Sequence, residues 1–379
     1  MTHPEFQLDP NLVYLNHAGV SPWPRRTRDA VAGFAEMNAH RGAADYPQWL
    51  RHERALRDRL ARLLGADSVD DIALIKNTSE GLSLVAFGLD WQPGDAVVIN
   101  RSEFPSNRVV WEALAERYEV EIIDVDLAHG ASPEDALINA ITARTRLLAV
   151  SSVQYGTGLR MDLSRIGAAC RERDVLFCLD AIQSLGALRF HRSEADPDFI
   201  MADGHKWMLG PEGLGVFWCR PALRDQLRLQ QYGWHMVEHA GDYSRLDWSV
   251  ASTARRFECG SPNMLGIFGL EASLSLLQDS EGMASVERRV LENAGWLMDA
   301  ITQEPGLALL SDPDPARRSG IVTFHAPGKD GTALYRALMQ EGVVCAGRGG
   351  GVRFSPHFHN TEEQLQRAVE TAARLVQNL

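Results

Sequence analysis

One lysine and one aspartate stand at positions where their side chains could do chemistry together. Asp180 follows the apolar run at 175–179, and Lys206 follows the apolar run at 198–202. Both runs predict strands, and open α/β sheets bind ligands at the carboxyl ends of their strands. A lysine amine forms a Schiff base with an aldehyde, and a carboxylate keeps a pyridine nitrogen protonated, which is the chemistry of pyridoxal phosphate. The alternative is a Lys–Asp ion pair between two loop ends.

The scarcity of lysine favours the chemical interpretation. The chain has 38 basic residues, and only Lys76, Lys206 and Lys329 among them are lysines. Arginine keeps its proton in proteins, whereas lysine loses it when its surroundings lower its pKa. A lysine retained in an unusual context is therefore expected to serve through its amine.

Three further motifs fit a phosphorylated, planar cofactor and an amino-acid substrate. Thr78 and Ser79, after the run at 72–76, open a predicted helix whose first N–H groups could hold a phosphate, although an ordinary helix cap is the alternative. Phe104 could stack on a planar ring or pack in the core. Arg353 could grip a carboxylate with two hydrogen bonds or be a solvated arginine on a strand.

The elements that must position these residues follow an alternating pattern. Short apolar runs alternate with segments of helical periodicity, which predicts a mainly parallel sheet with crossover helices. The predicted strands are 72–76, 96–100, 120–125, 147–153, 175–179, 198–202 and 214–218, and the helices between them include 106–118, 134–141 and 162–174. The fold class is therefore α/β.

The pattern changes after residue 262. Helical stretches at 264–279, 283–303, 331–341 and 361–377 alternate with short strands near 320–325, 343–346 and 351–354. We therefore expect an N-terminal arm at 1–30 lying on a large α/β domain at 31–262, followed by a small α+β domain at 263–379.

Composition restricts the class of protein. The 379 residues carry a formal charge of −12, which disfavours nucleic acid or an anionic membrane as a partner. No apolar run approaches the ~20 residues that span a bilayer, and the first residues lack the pattern of a secretion signal. Five cysteines without a C-x-x-C pair indicate a reduced, cytoplasmic protein.

The motifs, in their order, resemble those of the class V aminotransferase family of fold-type I pyridoxal-phosphate enzymes. That family includes cysteine desulfurases, selenocysteine lyases, isopenicillin N epimerases and kynureninases. The resemblance covers nearly the whole chain, in the segments YLNHAGVSP (14–22), NTSEG (77–81), EFPSN (103–107), SVQYGTG (152–158), DAIQS (180–184), DGHKW (203–207), RRFECGSPN (255–263) and VRFSPHFHNTEEQL (352–365). It implies a large domain with a mainly parallel sheet flanked by helices, a smaller C-terminal α+β domain, and pyridoxal 5′-phosphate as cofactor.

The resemblance also assigns roles to individual positions. Lys206 matches the Schiff-base lysine and Asp180 the partner of the pyridine nitrogen. The other cofactor positions are Thr78, Ser79 and His205 for the phosphate, Phe104 and Gln154 near the ring, and Gln183 for the phenolic oxygen. Ser261 matches a hydroxyl that reaches the phosphate of a neighbouring subunit, which implies a homodimer with shared active sites. Arg353 matches the substrate-carboxylate position, and Asn16 and His17 match residues that line the substrate entrance.

Two departures from the desulfurase branch bear on the reaction. Asp203 replaces a serine next to the phosphate region, so its carboxylate is expected to point elsewhere or to orient a neighbour. The loop before Arg353 is shorter than the desulfurase loop that carries a nucleophilic cysteine, and Cys345 follows two valines as if in a strand. A buried, inert thiol is therefore expected, which disfavours persulfide chemistry.

No metal site is expected from the sequence. His357 and His359 are two residues apart on a segment that would be extended, so their side chains should face opposite sides. No third ligand accompanies them.

The sequence thus predicts a pyridoxal-phosphate enzyme that acts on an α-amino acid through Lys206. Aminotransferase or epimerase-like chemistry ranks first. C–S or C–C lyase chemistry, of the selenocysteine lyase, desulfurase or kynureninase kind, is the alternative. A non-catalytic binding protein with the same fold is an alternative of another class, which the intact Lys206, Asp180 and Arg353 oppose.

Overall fold

The computed structural model describes residues 3–379, which form two main sheets, one short strand pair and the helices around them. The strands, in chain order, are β1 Val13–Tyr14, β2 Ile72–Ile75, β3 Ala96–Asn100, β4 Glu121–Val125, β5 Thr145–Ser151, β6 Leu176–Asp180, β7 Phe199–Asp203, β8 Gly215–Cys219, β9 Ala308–Leu309, β10 Val322–His325, β11 Val343–Val344, β12 Ala346–Arg348 and β13 Gly351–Phe354. The α-helices are α1 Arg25–Arg41, α2 Tyr46–Leu64, α3 Thr78–Gly88, α4 Ser106–Tyr118, α5 Pro133–Asn139, α6 Leu163–Glu172, α7 Arg192–Ala195, α8 Met264–Ser275, α9 Met283–Gln303, α10 Gly331–Gln340 and α11 Glu362–Val376.

The larger sheet has the order β2-β8-β7-β6-β5-β3-β4. Its strands pair in parallel, except that β8 runs antiparallel to both β2 and β7. Most of these strands are buried on both faces, which is why they stand out in the sequence as continuous apolar runs rather than alternating ones. The α/β fold with a mainly parallel sheet is therefore confirmed.

Polar residues at the strand ends start the crossover helices. Asn77 follows β2, and its side chain accepts a hydrogen bond from the backbone N–H of Glu80, which caps α3. Asp162 caps α6 in the same way by accepting from the N–H of Arg165. Such caps satisfy N–H groups that the helix itself leaves free, so they fix where each helix begins.

The C-terminal part forms a smaller antiparallel sheet in the order β12-β13-β10-β9. It shares an apolar core with α9, α10 and α11. Within residues 3–379, no helix is both long and apolar enough to cross a bilayer.

The packing differs in two places from the domain division predicted from the sequence. The arm at 1–30 was expected on the large domain, and Phe6 and Ala18 do join the core of the larger sheet, but β1 pairs in parallel with β11 in the C-terminal part. Helix α8, predicted to open the small domain at 263–379, packs on α1 and α2 and contributes to the core of the larger sheet. The domain boundary near residue 262 stays a prediction, and the core of the larger sheet extends past it into α8.

The predicted strand 343–346 is also divided. β11 pairs with the arm and β12 pairs with β13, so Cys345 lies at the junction between two sheets. The sequence could not indicate this break because all four residues are apolar or small.

Candidate active site

Four neighbouring strands end in polar residues at the same edge of the larger sheet. Ser151 ends β5, Asp180 ends β6 and Asp203 ends β7, while Glu103 follows shortly after β3. Lys206 lies in the connection from β7 to β8, which begins at Asp203 and returns at Gly215 opposite it. Parallel strands bring their carboxyl ends to one edge of the sheet, so side chains that are as much as about a hundred positions apart in the sequence lie close together here.

A cavity of about 470 Å³ opens at this edge. That volume is in the range of cofactor and small-molecule sites. Most of the site residues predicted from the sequence line it, namely Asn16, Thr78, Ser79, Phe104, Asp180, Gln183, His205, Lys206 and Arg353.

Lys206 and Asp180 are both buried in the cavity wall, with exposed fractions of 8% and 3%. Burial lowers the pKa of Lys206 to about 8, because the amine loses solvation and Arg353 repels its charge while Asp180 opposes the decrease. Burial also raises the pKa of Asp180 to about 7, with the charge of Glu103 adding to the rise. The amine lies 5.4 Å from the ring centroid of Phe104. A nucleophilic amine and a carboxyl group, both with pKa values near neutrality, thus line the same cavity.

One end of the cavity is formed by the start of α3. The hydroxyl of Thr78 is buried there without a hydrogen-bond partner, and the hydroxyl of Ser79 donates to Ser106 at 2.9 Å. Nδ1 of His205 is also buried and unpartnered, although it lies 2.9 Å from a carboxylate oxygen of Asp203. Free polar atoms beside a helix N-terminus form a suitable environment for a phosphate dianion.

The opposite end carries Arg353, which β13 holds in a buried position. Its guanidinium donates to the carbonyl of Tyr155 at 2.7 Å and to the side-chain oxygen of Asn16 at 3.4 Å, and its Nε has no partner. Burial and the nearby Arg348 lower the pKa of Arg353 to about 10. No carboxylate of residues 3–379 forms an ion pair with either arginine, so this end favours an anionic group.

Gln183 is held by two hydrogen bonds. Its side-chain oxygen accepts from the indole N–H of Trp207 at 2.8 Å, and its amide nitrogen donates to the carbonyl of Ala18 at 3.2 Å. The residue after Lys206 and the N-terminal arm thereby fix the orientation of Gln183.

Three predicted site residues do not line the cavity of this chain. Gln154 lies behind the wall, where its amide donates to Glu103 at 3.1 Å. Ser261 is exposed on the surface just before α8. His17 is fully buried, with Nδ1 against the carbonyl of Ser355 at 2.9 Å, so the prediction that it lines the substrate entrance needs correction: its ring points into the protein interior.

His17 belongs instead to a cluster with His357 and His359. Nε2 of His17 lies 3.0 Å from Nε2 of His359, and Nε2 of His357 lies 3.0 Å from the carbonyl of Trp207. The expectation that His357 and His359 face opposite sides is wrong, because their rings are 6.1 Å apart at an interplanar angle of 18°. The segment turns at this point, with the N–H of Asn360 bonded to the carbonyl of His357, instead of remaining extended.

A second group of potential metal ligands lies elsewhere in the described residues. Glu53, His235 and Glu258 bring one ligand atom each within 4.8 Å of one another. Arg57 donates hydrogen bonds to both carboxylates, so a side-chain cation already binds them and balances one of their two charges.

Cys345 is buried, as the sequence indicates, and burial raises its pKa to about 12. It lines a neighbouring cavity of about 650 Å³, not the one that contains Lys206. A thiol with this pKa is protonated and poorly nucleophilic at neutral pH.

Sequence reasoning missed Glu103, Tyr155 and Arg348 as members of this site. Glu103 is a fully buried carboxylate next to Asp180, and the other two contribute the carbonyl and the charge that surround Arg353. The signal for Glu103 was available, since it follows a predicted strand whose carboxyl end reaches the same sheet edge as Asp180.

Comparisons with known proteins agree with this geometry. The family model for class-V aminotransferases matches residues 13–368. A probable cysteine desulfurase from Methanothermobacter thermautotrophicus is 29% identical over 95% of this chain and 93% of its own, and the isopenicillin N epimerase of Streptomyces clavuligerus is 29% identical over 96% and 94%. An uncharacterized aminotransferase of Bacillus subtilis is 30% identical over 84% of this chain and 82% of its own.

Solved structures show the same fold. A cysteine desulfurase from Escherichia coli superposes with a TM-score of 0.87 at 24% identity, covering 98% of this chain and 96% of that one. A cystine C–S lyase superposes with a TM-score of 0.88 at 23% identity, covering 96% and 98%. Since the family match extends over most of the chain, this protein belongs to the class V aminotransferases and is a pyridoxal-phosphate-dependent enzyme.

Proposed function

We propose that the chain catalyses an aminotransferase or epimerase-like reaction at the α-carbon of an amino acid. The observation that carries this proposal is that one cavity joins the amine of Lys206, the carboxyl of Asp180 and the guanidinium of Arg353. These groups provide a proton acceptor, a partner for a cationic ring and a binding site for a carboxylate.

The residues of the cavity fit pyridoxal phosphate. Thr78, Ser79 and His205 would hold the phosphate, since two of them present buried, unpartnered polar atoms near the start of α3. Phe104 would lie against the ring, Gln183 would bond the phenolic oxygen and Asp180 the ring nitrogen. When bound, the cofactor supplies an aldehyde for amine exchange and a ring that accepts electrons from the α-carbon.

Lys206 is the proposed acid and base of the reaction. With a pKa near 8, a substantial share of its amine is neutral close to physiological pH and ready to accept the α-proton. Delivery of that proton to the former aldehyde carbon of the cofactor, followed by hydrolysis that releases a keto acid, would give transamination, whereas delivery of a proton to the opposite face of the α-carbon would invert the amino acid.

Arg353 is the proposed anchor for the substrate carboxylate. Its buried guanidinium retains donors that the protein does not fill, and a carboxylate would offset the repulsion from Arg348. Asn16, bonded to the same guanidinium, would contact the substrate at this end.

The position of Cys345 supports ranking cysteine desulfuration low. The thiol lines the neighbouring cavity and is protonated at neutral pH, so a persulfide route through it lacks a nucleophile. C–S or C–C lyase chemistry that needs no enzyme thiol remains the second candidate, favoured by the relatives that share the family.

The test is a half-reaction screen of the holoenzyme with a panel of amino acids. Loss of the visible cofactor band that a keto acid restores would show transamination, and loss of optical rotation without that bleaching would show epimerisation. Release of pyruvate or alanine from an amino acid other than alanine would show lyase chemistry and overturn the proposal.

Lys206→Ala should abolish the visible band and lower the rate by at least about 10²–10⁴-fold, because the proton acceptor is lost. Lys76→Ala is the matched control, since Lys76 is exposed and pairs only with Glu80. A Lys206→Ala protein that keeps the band and the rate would remove the basis of the assignment.

We also propose a homodimer with shared active sites in the cytoplasm. Ser261 lies outside the cavity of its own chain, and a segment 15–18 residues earlier in the chain has strongly exposed apolar side chains, among them Leu246 (95% exposed) and Tyr243 (79%). Five unpaired cysteines fit a reducing compartment. Light scattering of the purified holoenzyme should give twice the chain mass of 42.0 kDa, and a mass of one chain would contradict the dimer.

A further inference from the structure

Glu103 is a buried carboxylate to which the proposed mechanism gives no role. It follows β3, is 5% exposed and lies behind Asp180 as seen from the cavity. Its side chain makes no ion pair with any described residue. A carboxylate at this depth without a cation is costly unless hydrogen bonds offset its loss of solvation.

Four donors converge on the two oxygens of Glu103. Oε1 accepts from the backbone N–H of Ser151 at 2.9 Å and from the amide of Gln154 at 3.1 Å. Oε2 accepts from the hydroxyl of Ser151 and from the amide of Asn107 at 3.2 Å. Burial raises the pKa of Glu103, and these four donors, which favour the ionised carboxylate, oppose that rise.

Ser151 connects this carboxylate to Asp180. The two residues are partners in the register of β5 and β6, so their side chains leave the sheet side by side. The hydroxyl of Ser151 donates to Glu103 and is within hydrogen-bonding reach of Asp180. The two buried acids therefore share one hydroxyl, whose single proton can be donated to only one of them at a time.

We propose that Glu103 is a positioning residue that places a negative charge behind Asp180, so that the two acids together would keep a proton on the ring nitrogen of a bound cofactor. One buried carboxylate holds a cationic nitrogen, and a second one behind it increases the electrostatic attraction for the same proton. The pair also holds Gln154 in place through its bond to Glu103. This inference rests on the proposed role of Asp180.

The other charged groups around the pair stay the same when Glu103 is changed. Lys206 approaches Asp180 from the connection after β7, with Asp203 at the end of that strand. Arg353 and Arg348 approach Lys206 from β13 and β12. A change in titration behaviour on replacing Glu103 therefore reports the loss of its charge.

The experiment is a pH titration of the visible band of the bound cofactor, together with the cofactor dissociation constant. Glu103→Gln keeps the shape and removes the charge, so the midpoint should move to lower pH by about one unit and the affinity should fall about tenfold. Glu103→Asp keeps the charge and should retain a midpoint close to that of the wild type. Glu134→Gln is the matched control, since Glu134 is a fully buried carboxylate paired with Arg317 outside the cavity.

An unmoved midpoint in Glu103→Gln overturns the inference, whereas a wild type without a titrating band would indicate failure of the proposed function itself. If Glu103→Gln does not fold, Ser151→Ala replaces it. That variant leaves both acids but removes one donor from Glu103, so its midpoint should move in the same direction by less than one unit. A Ser151→Ala midpoint equal to that of the wild type would also overturn the inference.

Discussion

Arg353 has an environment that few arginines share. Its guanidinium is buried, a second arginine is close by, and burial lowers its pKa to about 10. A protein keeps such a charge where a ligand supplies the opposite one. Replacement of Arg353 should therefore weaken substrate binding more than it slows the chemical step.

Replacement of Arg353 tests this dependence. Arg353→Gln should raise the KM for an amino-acid substrate about 10–100-fold, since a charge-assisted pair contributes about 1.5–3 kcal/mol. Arg353→Lys keeps the charge but cannot form two parallel hydrogen bonds, so its KM should lie between those of the wild type and Arg353→Gln. Steady-state kinetics with the amino acid and with its decarboxylated amine provides the measurement. Equal losses for both compounds would show that Arg353 does not bind the carboxylate.

At the residue scale, sequence patterns located Asp180 and Lys206 because each follows an apolar strand in a predictable register. Glu103 also follows a predicted strand, but its contact with Ser151 depends on strand order, which the sequence does not show: β3 and β5 adjoin in space but are separated by β4 in sequence. The burial of His17 was equally hidden, because it results from contact with Ser355 more than three hundred residues later.

At the element scale, the connection that carries Lys206 is kept in place by a close backbone approach. Gly186 has φ +96°, and a Cβ there would lie 2.3 Å from the carbonyl oxygen of Trp207. That atom belongs to the residue after Lys206, so a side chain at 186 must displace the connection. Gly94 has a similar φ of +88°, but a Cβ there would meet nothing within 4 Å.

Gly186→Ala should therefore lower cofactor affinity at least about tenfold and reduce the melting temperature, because it adds a clash to backbone strain. Gly94→Ala carries the strain alone and should lower the melting temperature without changing cofactor affinity. Equilibrium dialysis and thermal melts of both variants separate the two effects. Similar affinities in the two proteins would show that the connection adapts without loss.

The elements themselves were predictable to within about two residues at most of the strands in the larger sheet, since strands buried on both faces have long apolar runs. The failures are at places where pairing partners decide the structure. The segment at 343–346 divides between the arm and the smaller sheet, and α8 packs with α1 and α2 although it follows the change of pattern at 262. Apolar periodicity shows that a segment is buried but not against what.

At the scale of the whole molecule, the histidine cluster joins three distant parts of the chain. His17 comes from the arm, His357 and His359 from the segment after β13, and His357 contacts the carbonyl of Trp207 beside Lys206. Burial lowers the pKa of His357 to about 4 and the pKa of His17 and His359 well below the usual value. The folded state thus needs all three rings neutral.

The sign of the pH dependence follows from these depressed values. Histidine titrates at about 6.5 in the unfolded chain, so the stabilisation is complete above that pH and is lost as the pH falls toward about 4. The melting temperature should decrease over this window, with each ring contributing up to about 1.4 kcal/mol per pH unit. His359→Phe, which keeps the stacking on Phe6, should show a shallower decrease. His40→Gln is the control, since His40 is exposed, and identical slopes in all three proteins would exclude the cluster as the cause.

The pairing of Val13–Tyr14 with Val343–Val344 has a consequence for how the protein is made. The segment Val13–Tyr14 has no strand partner until more than three hundred further residues have been added. Closing so long a loop is entropically costly and slow, and it brings Asn16 beside Arg353 only at that late stage. Nascent chains that stop short of residue 343 lack both Arg353 and the His357 contact to Trp207, so neither the carboxylate pocket nor the Lys206 connection should be complete in them.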